Sequence, residues 1–267
     1  MTHDHTDTHR PVHLLHHRRF GHPRRLAGRT AVITGAGSGI GAATARLLAA
    51  DGARVAALGR RIEPLRLAVT GSDGLAVAAD VTDASLDDAF AAAQEAHGPS
   101  DLVVANAGAM LAAPFGNGDQ TEWRRMLDVN VLGVAATARL ALPGLVAAAA
   151  AGRPADLVLI SSIGAHVVME NYAIYMASKA AVTHLARILR AEYGPRGVRV
   201  RAIEPGMTAS DLGQDMGDET TRAELNEFIQ TVPPIPAEMI AEAIAWSCAL
   251  PVGTNASVIE VLPTVQG

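Results

Sequence analysis

Tyr175 and Lys179 stand four residues apart in the stretch "YMASK", and Lys179 is the only lysine in the chain. The remaining 21 of its 22 basic side chains are arginine. Residues four apart on a helix share a face, and Val182, Leu185, Ile188 and Leu189 recur at the spacing that predicts a helix over 174–193. An ammonium beside a phenol favours the phenolate and draws its pKa down from about 10. Such a tyrosine can protonate a carbonyl oxygen, or accept a proton from an alcohol in the reverse direction. A compact three-donor ammonium fits a crowded site better than a broad guanidinium, which gives lysine a reason to appear here. The plainer alternative is an incidental pair on a surface helix.

Two polar features fit the same chemistry. "LISSIGA" ends a strand-like run with Ser161 and Ser162, the latter thirteen residues before Tyr175. A hydroxyl there would hydrogen-bond a substrate carbonyl in a small oxyanion-type site; serines also end strands for no such reason. "LDVNVLG" sets Asn130 within an apolar helix. If buried, its amide must be bonded, through a core contact or by holding a water.

These residues need a platform. "TGAGSGIG" (34–41) follows an apolar strand and opens a helix. Gly35, Gly39 and Gly41, with Ser38 and Ile40 between them, allow a tight turn and close approach of backbone to a diphosphate at the helix N-terminus. At the end of the second strand, where a carboxylate would meet a ribose 2′-hydroxyl, the chain reads Gly59-Arg60-Arg61. Two guanidinium groups favour a 2′-phosphate, hence NADP(H) over NAD(H). Glu63 keeps NAD(H) open, unless it begins the next helix.

Strand-like runs at 30–35, 53–58, 75–80, 101–108, 156–162, 198–206 and 256–262 alternate with helical stretches at 40–51, 84–97, 120–150 and 174–193. That alternation predicts a single-domain α/β fold: a doubly wound parallel sheet, Rossmann-like, with helices on both faces. The 267 residues are 49% hydrophobic and 3% aromatic, which suits a tightly packed soluble enzyme. A net charge of −5 argues against nucleic acid as a partner. The single Cys248 fits a reducing cytoplasm. The longest unbroken apolar run, 145–151, is too short to cross a membrane. Residues 1–27 hold seven histidines and five arginines and read as a flexible leader, either a solvated tail or a metal- or anion-binding segment.

Taken together, TGAGSGIG, "ANAG" (105–108), "DVN" (128–130), "SSIGA" (161–165), "YMASK" and "EPGMTAS" (204–210) resemble the short-chain dehydrogenases/reductases over residues 26–267. The resemblance implies Tyr175 as proton donor and acceptor. It implies Lys179 as the residue that binds the nicotinamide ribose, lowers the Tyr175 pKa and starts a proton relay. Ser162 would orient the carbonyl and Asn130 would hold the relay water. Asp80-Val81 would contact adenine, Asn106-Ala107-Gly108 would line the cofactor, and Pro205-Gly206 with Thr208 would flank the nicotinamide. Departures are small: Ala105 replaces the first asparagine of the usual NNAG, and Ser210 replaces a threonine. "LRAEYGPRGVRVRAIEPG" (189–206) and "VLPTVQG" (261–267) resemble NADP-dependent reductases of the 3-hydroxy-acid dehydrogenase type. A homotetramer or homodimer is implied, with the 120–150 and 174–193 helices as contact surfaces.

Residues 208–232 read as a mobile lid that excludes water. Met110, His166, Met169, Tyr172, Met207, Leu212 and Met216 are the expected substrate walls, although methionines there could be plain packing and a lone histidine is often structural. These walls are mostly apolar, which favours a neutral ketone or aldehyde. The expected activity is NADP(H)-dependent interconversion of such a carbonyl and an alcohol by hydride transfer. The alternatives are an NAD-dependent alcohol dehydrogenase of the same family and a non-catalytic dinucleotide sensor.

Overall fold

The computed structural model describes residues 24–266, and in it the short aliphatic runs become seven strands. They are β1 (Thr30–Thr34), β2 (Arg54–Gly59), β3 (Leu75–Ala78), β4 (Leu102–Ala105), β5 (Asp156–Ile160), β6 (Arg199–Pro205) and β7 (Val258–Val261). All pair in parallel, in the order β3-β2-β1-β4-β5-β6-β7. Strands covered on both faces need no polar alternation, and β1, β4, β5 and β6 are buried at every position.

Eight helices connect or flank the strands: α1 (Gly39–Ala50), α2 (Ile62–Ala68), α3 (Ser85–His97), α4 (Gln120–Leu127), α5 (Val134–Ala150), α6 (Ala173–Tyr193), α7 (Glu219–Thr231) and α8 (Ala237–Cys248). Ala45, Leu48, Leu65, Ile240 and Ile244 from α1, α2 and α8 pack on Ile33, Val55 and Val104 of one sheet face. Leu86, Ala138, Leu145 and Val182 from α3, α5 and α6 pack on Val32, Leu157 and Leu159 of the other. This is the doubly wound single domain that the strand–helix alternation predicts.

Four expectations need correction. The 120–150 stretch is not a plain helix: α4 and α5 are joined by one π-turn, Asp128–Gly133. The rod Gln120–Ala150 is long and apolar enough to cross a membrane by length and composition, which a search for unbroken apolar runs overlooks. Here Val134, Ala138, Ala141, Leu145 and Ala148 are buried in the core beside the sheet. The leader boundary also moves. Leu26 is buried in the core, and Arg25 pairs with Asp51 at 2.7 Å and with Glu242 at 3.1 Å, so the folded body already includes residues 24–27. The rest of the leader lies outside the described residues. Finally, the 208–232 segment contains α7, whose Leu225, Phe228 and Ile229 follow helical spacing, and α8 is a further helix beyond the four stretches the pattern predicts.

Opposite the carboxyl ends of the strands lies a buried ion cluster. Asp156, fully buried, accepts from Arg29 at 2.8 Å, from Arg199 at 2.7 Å and from Arg201. Asp101 accepts from Arg29 at 2.8 Å and from Arg153 at 2.9 Å. Each of these carboxylates has at least two guanidinium partners, the arrangement that makes buried charge tolerable.

Candidate active site

A cleft of about 540 Å³ opens at the carboxyl edge of the sheet, where β1 and β4 diverge to opposite halves of the strand order. Its floor follows from the glycine loop. Gly35 adopts φ +65°, and a Cβ there would meet Ala107 Cα at 2.8 Å. A Cβ on Gly41 would collide with the Gly35 carbonyl oxygen. Asn106 fastens the loop to the end of β4, its Nδ2 donating to the carbonyls of Thr34 at 3.0 Å and Gly35 at 3.2 Å. Gly37, Ser38, Gly39 and Ile40 then line the cleft. Ser38 leaves the first N–H groups of α1 without a side-chain cap, as an anion site at a helix N-terminus requires.

Around this loop the cleft gathers Gly59, Arg60 and Arg61 after β2, Asp80 and Val81 after β3, Asn106, Ala107 and Gly108 after β4, and Pro205, Gly206 and Thr208 after β6. Both arginines are exposed at the rim. Glu63 begins α2 and pairs with Arg66 at 2.5 Å. The cradle therefore fits a dinucleotide: backbone open to a diphosphate where side chains would clash, with cationic side chains at the second strand's end.

Tyr175, Ser162 and Lys179 share the inner end of the cleft. Tyr175 and Lys179 come from buried positions of α6, and Ser162 from the turn after β5. The Lys179 Nζ donates to the Ile160 carbonyl at 3.0 Å and lies 5.8 Å from the centre of the Tyr175 ring. Burial pushes the Lys179 ammonium down to about 8. Burial likewise pushes the Tyr175 phenol up to about 12, with a hydrogen bond to Ser162 opposing and Tyr172 adding to the rise. The expected lowering of the phenol by its neighbour is not met here: desolvation is the largest cause at Tyr175, and it raises the phenol.

Asn130 does not line the cleft. It is fully buried in the π-turn, where its Oδ1 accepts from Ala109 N at 2.8 Å, while Nδ2 donates to Ala109 O at 2.9 Å and Ser178 Oγ at 3.0 Å. It thereby ties α6 to the segment after β4, and π-turns recur at functional sites. Gly41 also lies behind the surface, as a close-packing residue.

On the substrate side, Met110, Met169, Tyr172, Met207 and Leu212 line the cleft; His166 and Met216 do not. His166 turns to Glu204, Nε2 to Oε2 at 2.9 Å. Met216 is buried against Leu111, Met126 and Leu225. The sequence offered little signal for Arg125 or for Gln266, whose Oε1 accepts from Met207 N at 2.8 Å; both line the cleft. Phe228 and Ile229 of α7 also line it; their spacing with Leu225 is the one helical signal in an otherwise polar segment. The covering segment is held to α4 by Arg125–Asp215 at 3.2 Å and by Gly217 N donating to Glu122 at 3.1 Å.

A family model described as short chain dehydrogenase matches residues 29–221. The glycine betaine reductase ATRR of Emericella nidulans is 38% identical over 193 residues, which are 70% of this chain but only 15% of that protein. An uncharacterized oxidoreductase of Staphylococcus aureus (strain USA300) is 34% identical over 242 residues, covering 89% of this chain and 98% of the relative. Among solved structures, a 3-ketoacyl-(acyl-carrier-protein) reductase from Brucella melitensis complexed with NADH aligns with a TM-score of 0.81 at 29% identity, covering 90% of this chain and 98% of that one. The closed form of a serine dehydrogenase complexed with NADP+ aligns with a TM-score of 0.81 at 26% identity, covering 89% and 96%.

Proposed function

Because this chain belongs to the short-chain dehydrogenase/reductase family of oxidoreductases, we propose that it uses NADP(H) to interconvert a ketone or aldehyde with an alcohol. The observation that carries the reading is the meeting of Tyr175, Ser162 and Lys179 at the inner end of a cleft whose outer end is a dinucleotide cradle. When bound, the nicotinamide supplies or takes up the hydride. Gly35, Ser38, Gly39 and Ile40 would hold the diphosphate, Asp80 and Val81 the adenine, and Arg60 and Arg61 the 2′-phosphate. Asn106, Ala107, Gly108, Pro205, Gly206 and Thr208 would flank the rest. Neighbours bind NADH or NADP+; the choice of NADP(H) rests on the two arginines and on Glu63 being engaged by Arg66.

In this reading Ser162 orients the carbonyl oxygen and Tyr175 protonates it. A phenol pushed up to about 12 keeps its proton at neutral pH, the form that carbonyl reduction needs. Lys179 supplies the compact cation beside it, and Asn130 acts by position, bracing α6. Met110, Met169, Tyr172, Met207 and Leu212 give the substrate an apolar wall, and the 208–232 segment serves as its lid. Exposed Leu127, Leu132 and Ile188 on α4, the π-turn and α6 favour a homodimer or homotetramer through that face.

Tyr175→Phe tests the mechanism. Turnover of a ketone panel with NADPH should fall by at least about 10³-fold, while NADPH affinity by fluorescence titration stays within about threefold. Retained turnover would overturn the assignment of Tyr175.

A further inference from the structure

We propose that His166, Glu204 and Glu260 form a site for a divalent cation of zinc-like character, separate from the cleft. The three are contributed by the turn after β5, by β6 and by β7, and none lines the cleft. One ligand atom from each lies within 4.8 Å of the others. Nitrogen and carboxylate donors around a zinc ion at about 2.0–2.2 Å sit about 3.4 Å apart in a tetrahedron, so closing the site would draw in the exposed Glu260 side chain and part His166 and Glu204 slightly from their 2.9 Å contact.

Electrostatics give the stronger argument. Glu204 and Glu260 are directly paired in the β6–β7 register, so both carboxylates stand on one sheet face. Like charges placed opposite one another across strands are destabilising, and Glu204 is fully buried. Among the described residues the only salt-bridge partner of Glu204 is His166, at 2.9 Å, and Glu260 has none. One imidazole faces two carboxylates, whereas elsewhere in this chain Asp156 meets three arginines.

The surroundings are those of a metal site. Thr183 Oγ1 donates to Glu204 Oε1 at 2.6 Å, and Ser161 Oγ lies 2.8 Å from Thr183 Oγ1. These hydroxyls fix the buried carboxylate and leave its other oxygen facing His166. The His166 side chain is 41% exposed, which gives an ion an entry path. One imidazole and two carboxylates, with a fourth position open to water, suit zinc better than the all-oxygen shells of calcium or magnesium. Because Ser161 also donates to the Lys179 carbonyl at 2.9 Å, a bound ion would brace the strand ends and α6 beneath Tyr175. Its role would be structural.

The test is zinc chloride titration of the full chain, followed by calorimetry and thermal unfolding, with Glu260→Gln and His166→Gln as variants. A control replaces His3, His5, His9, His13, His16, His17 and His22 of the leader with alanine, since a histidine-rich tract is itself a candidate zinc binder. Zinc should raise the Tm of the parent and of the leader control alike. Glu260→Gln and His166→Gln should each weaken the stabilising site by at least about 100-fold. In chelator the order should reverse, with Glu260→Gln at least as stable as the parent, since one of two abutting carboxylates is gone. In zinc-soaked crystals the anomalous peak should lie at His166 Nε2. A zinc response that survives Glu260→Gln, that disappears with the leader histidines, or an anomalous peak only elsewhere, overturns the proposal.

Discussion

Lys179→Met should give the ligand-free protein a stability advantage over the parent that fades as pH rises. Burial holds the Lys179 ammonium at about 8, against its ordinary 10.5. Below pH 8 the lysine is charged in both the folded and unfolded chains, and the folded chain carries a cost of about 3 kcal/mol at 1.36 kcal/mol per unit. Between 8 and 10.5 the folded chain has released its proton while the unfolded chain keeps it, so stability climbs with pH; above 10.5 both are neutral and the cost is gone. Methionine has a similar length and no charge to desolvate. It also strands the Ile160 carbonyl, which loses its 3.0 Å donor, at about 1–3 kcal/mol.

The net advantage at pH 7 is thus about 0–2 kcal/mol, but the lost hydrogen bond does not vary with pH and the charge cost does. The difference between variant and parent should shrink by about 2 kcal/mol from pH 7 to pH 9.5. Urea unfolding at both pH values, with midpoints and slopes fitted separately, measures it. A difference constant to within about 0.5 kcal/mol would mean that the ammonium is not desolvated as its position implies. The variant should also lose turnover, so the lysine would be retained at the expense of stability, as functional residues often are.

Asp156→Asn should destabilise the fold by about 3–5 kcal/mol, since Arg29, Arg199 and Arg201 would converge on a neutral amide. Chemical denaturation checks this, and a loss below about 1 kcal/mol would show that the cluster is solvated. Replacing Arg60 and Arg61 together with alanine should raise the KM for NADPH by about 10- to 100-fold and leave that for NADH nearly unchanged, as expected for lost charge-assisted bonds to a phosphate. Equal shifts for both cofactors would remove the arginines from 2′-phosphate recognition.

The parts of this molecule that could be read from the sequence are those whose partners lie close by in the chain. The glycine loop is legible because a strand, a turn and a helix succeed one another within a dozen residues, and the steric need at Gly35 and Gly41 is local. Tyr175 and Lys179 are legible because one helical turn brings them together. What escaped depends on register or on depth. "VRVRAIEP" looks like a strand with one wet face, yet Arg199, Arg201 and Glu204 are all buried. Their partners, Asp156 and His166, are 38 to 45 residues away. Nearness to Ser162 suggests the substrate wall for His166, with a structural role as the alternative; its ring pairs with Glu204, away from the cleft lining. The helix α7 was hidden by its polar composition, having only Thr221 and Leu225 buried.

The Tyr175 phenol shows how proximity and burial compete. Spacing alone places a cation one turn away and predicts a lowered pKa. Folding also removes water from both groups, and in a buried site that penalty falls on each charged form. The ammonium turns to the Ile160 carbonyl and the phenol keeps its proton. In the proposed mechanism the protonated phenol is the form that donates to a carbonyl oxygen. Release of that proton would require a change in the surroundings of Lys179, and Gly108 is one neighbour of its ammonium: a Cβ there would stand 3.7 Å from Nζ. Gly108 lines the cleft, so whatever enters there can reset the balance between the two groups. On the proposed mechanism, proton release by Tyr175 would then answer to what binds in the cleft as well as to the spacing on the helix.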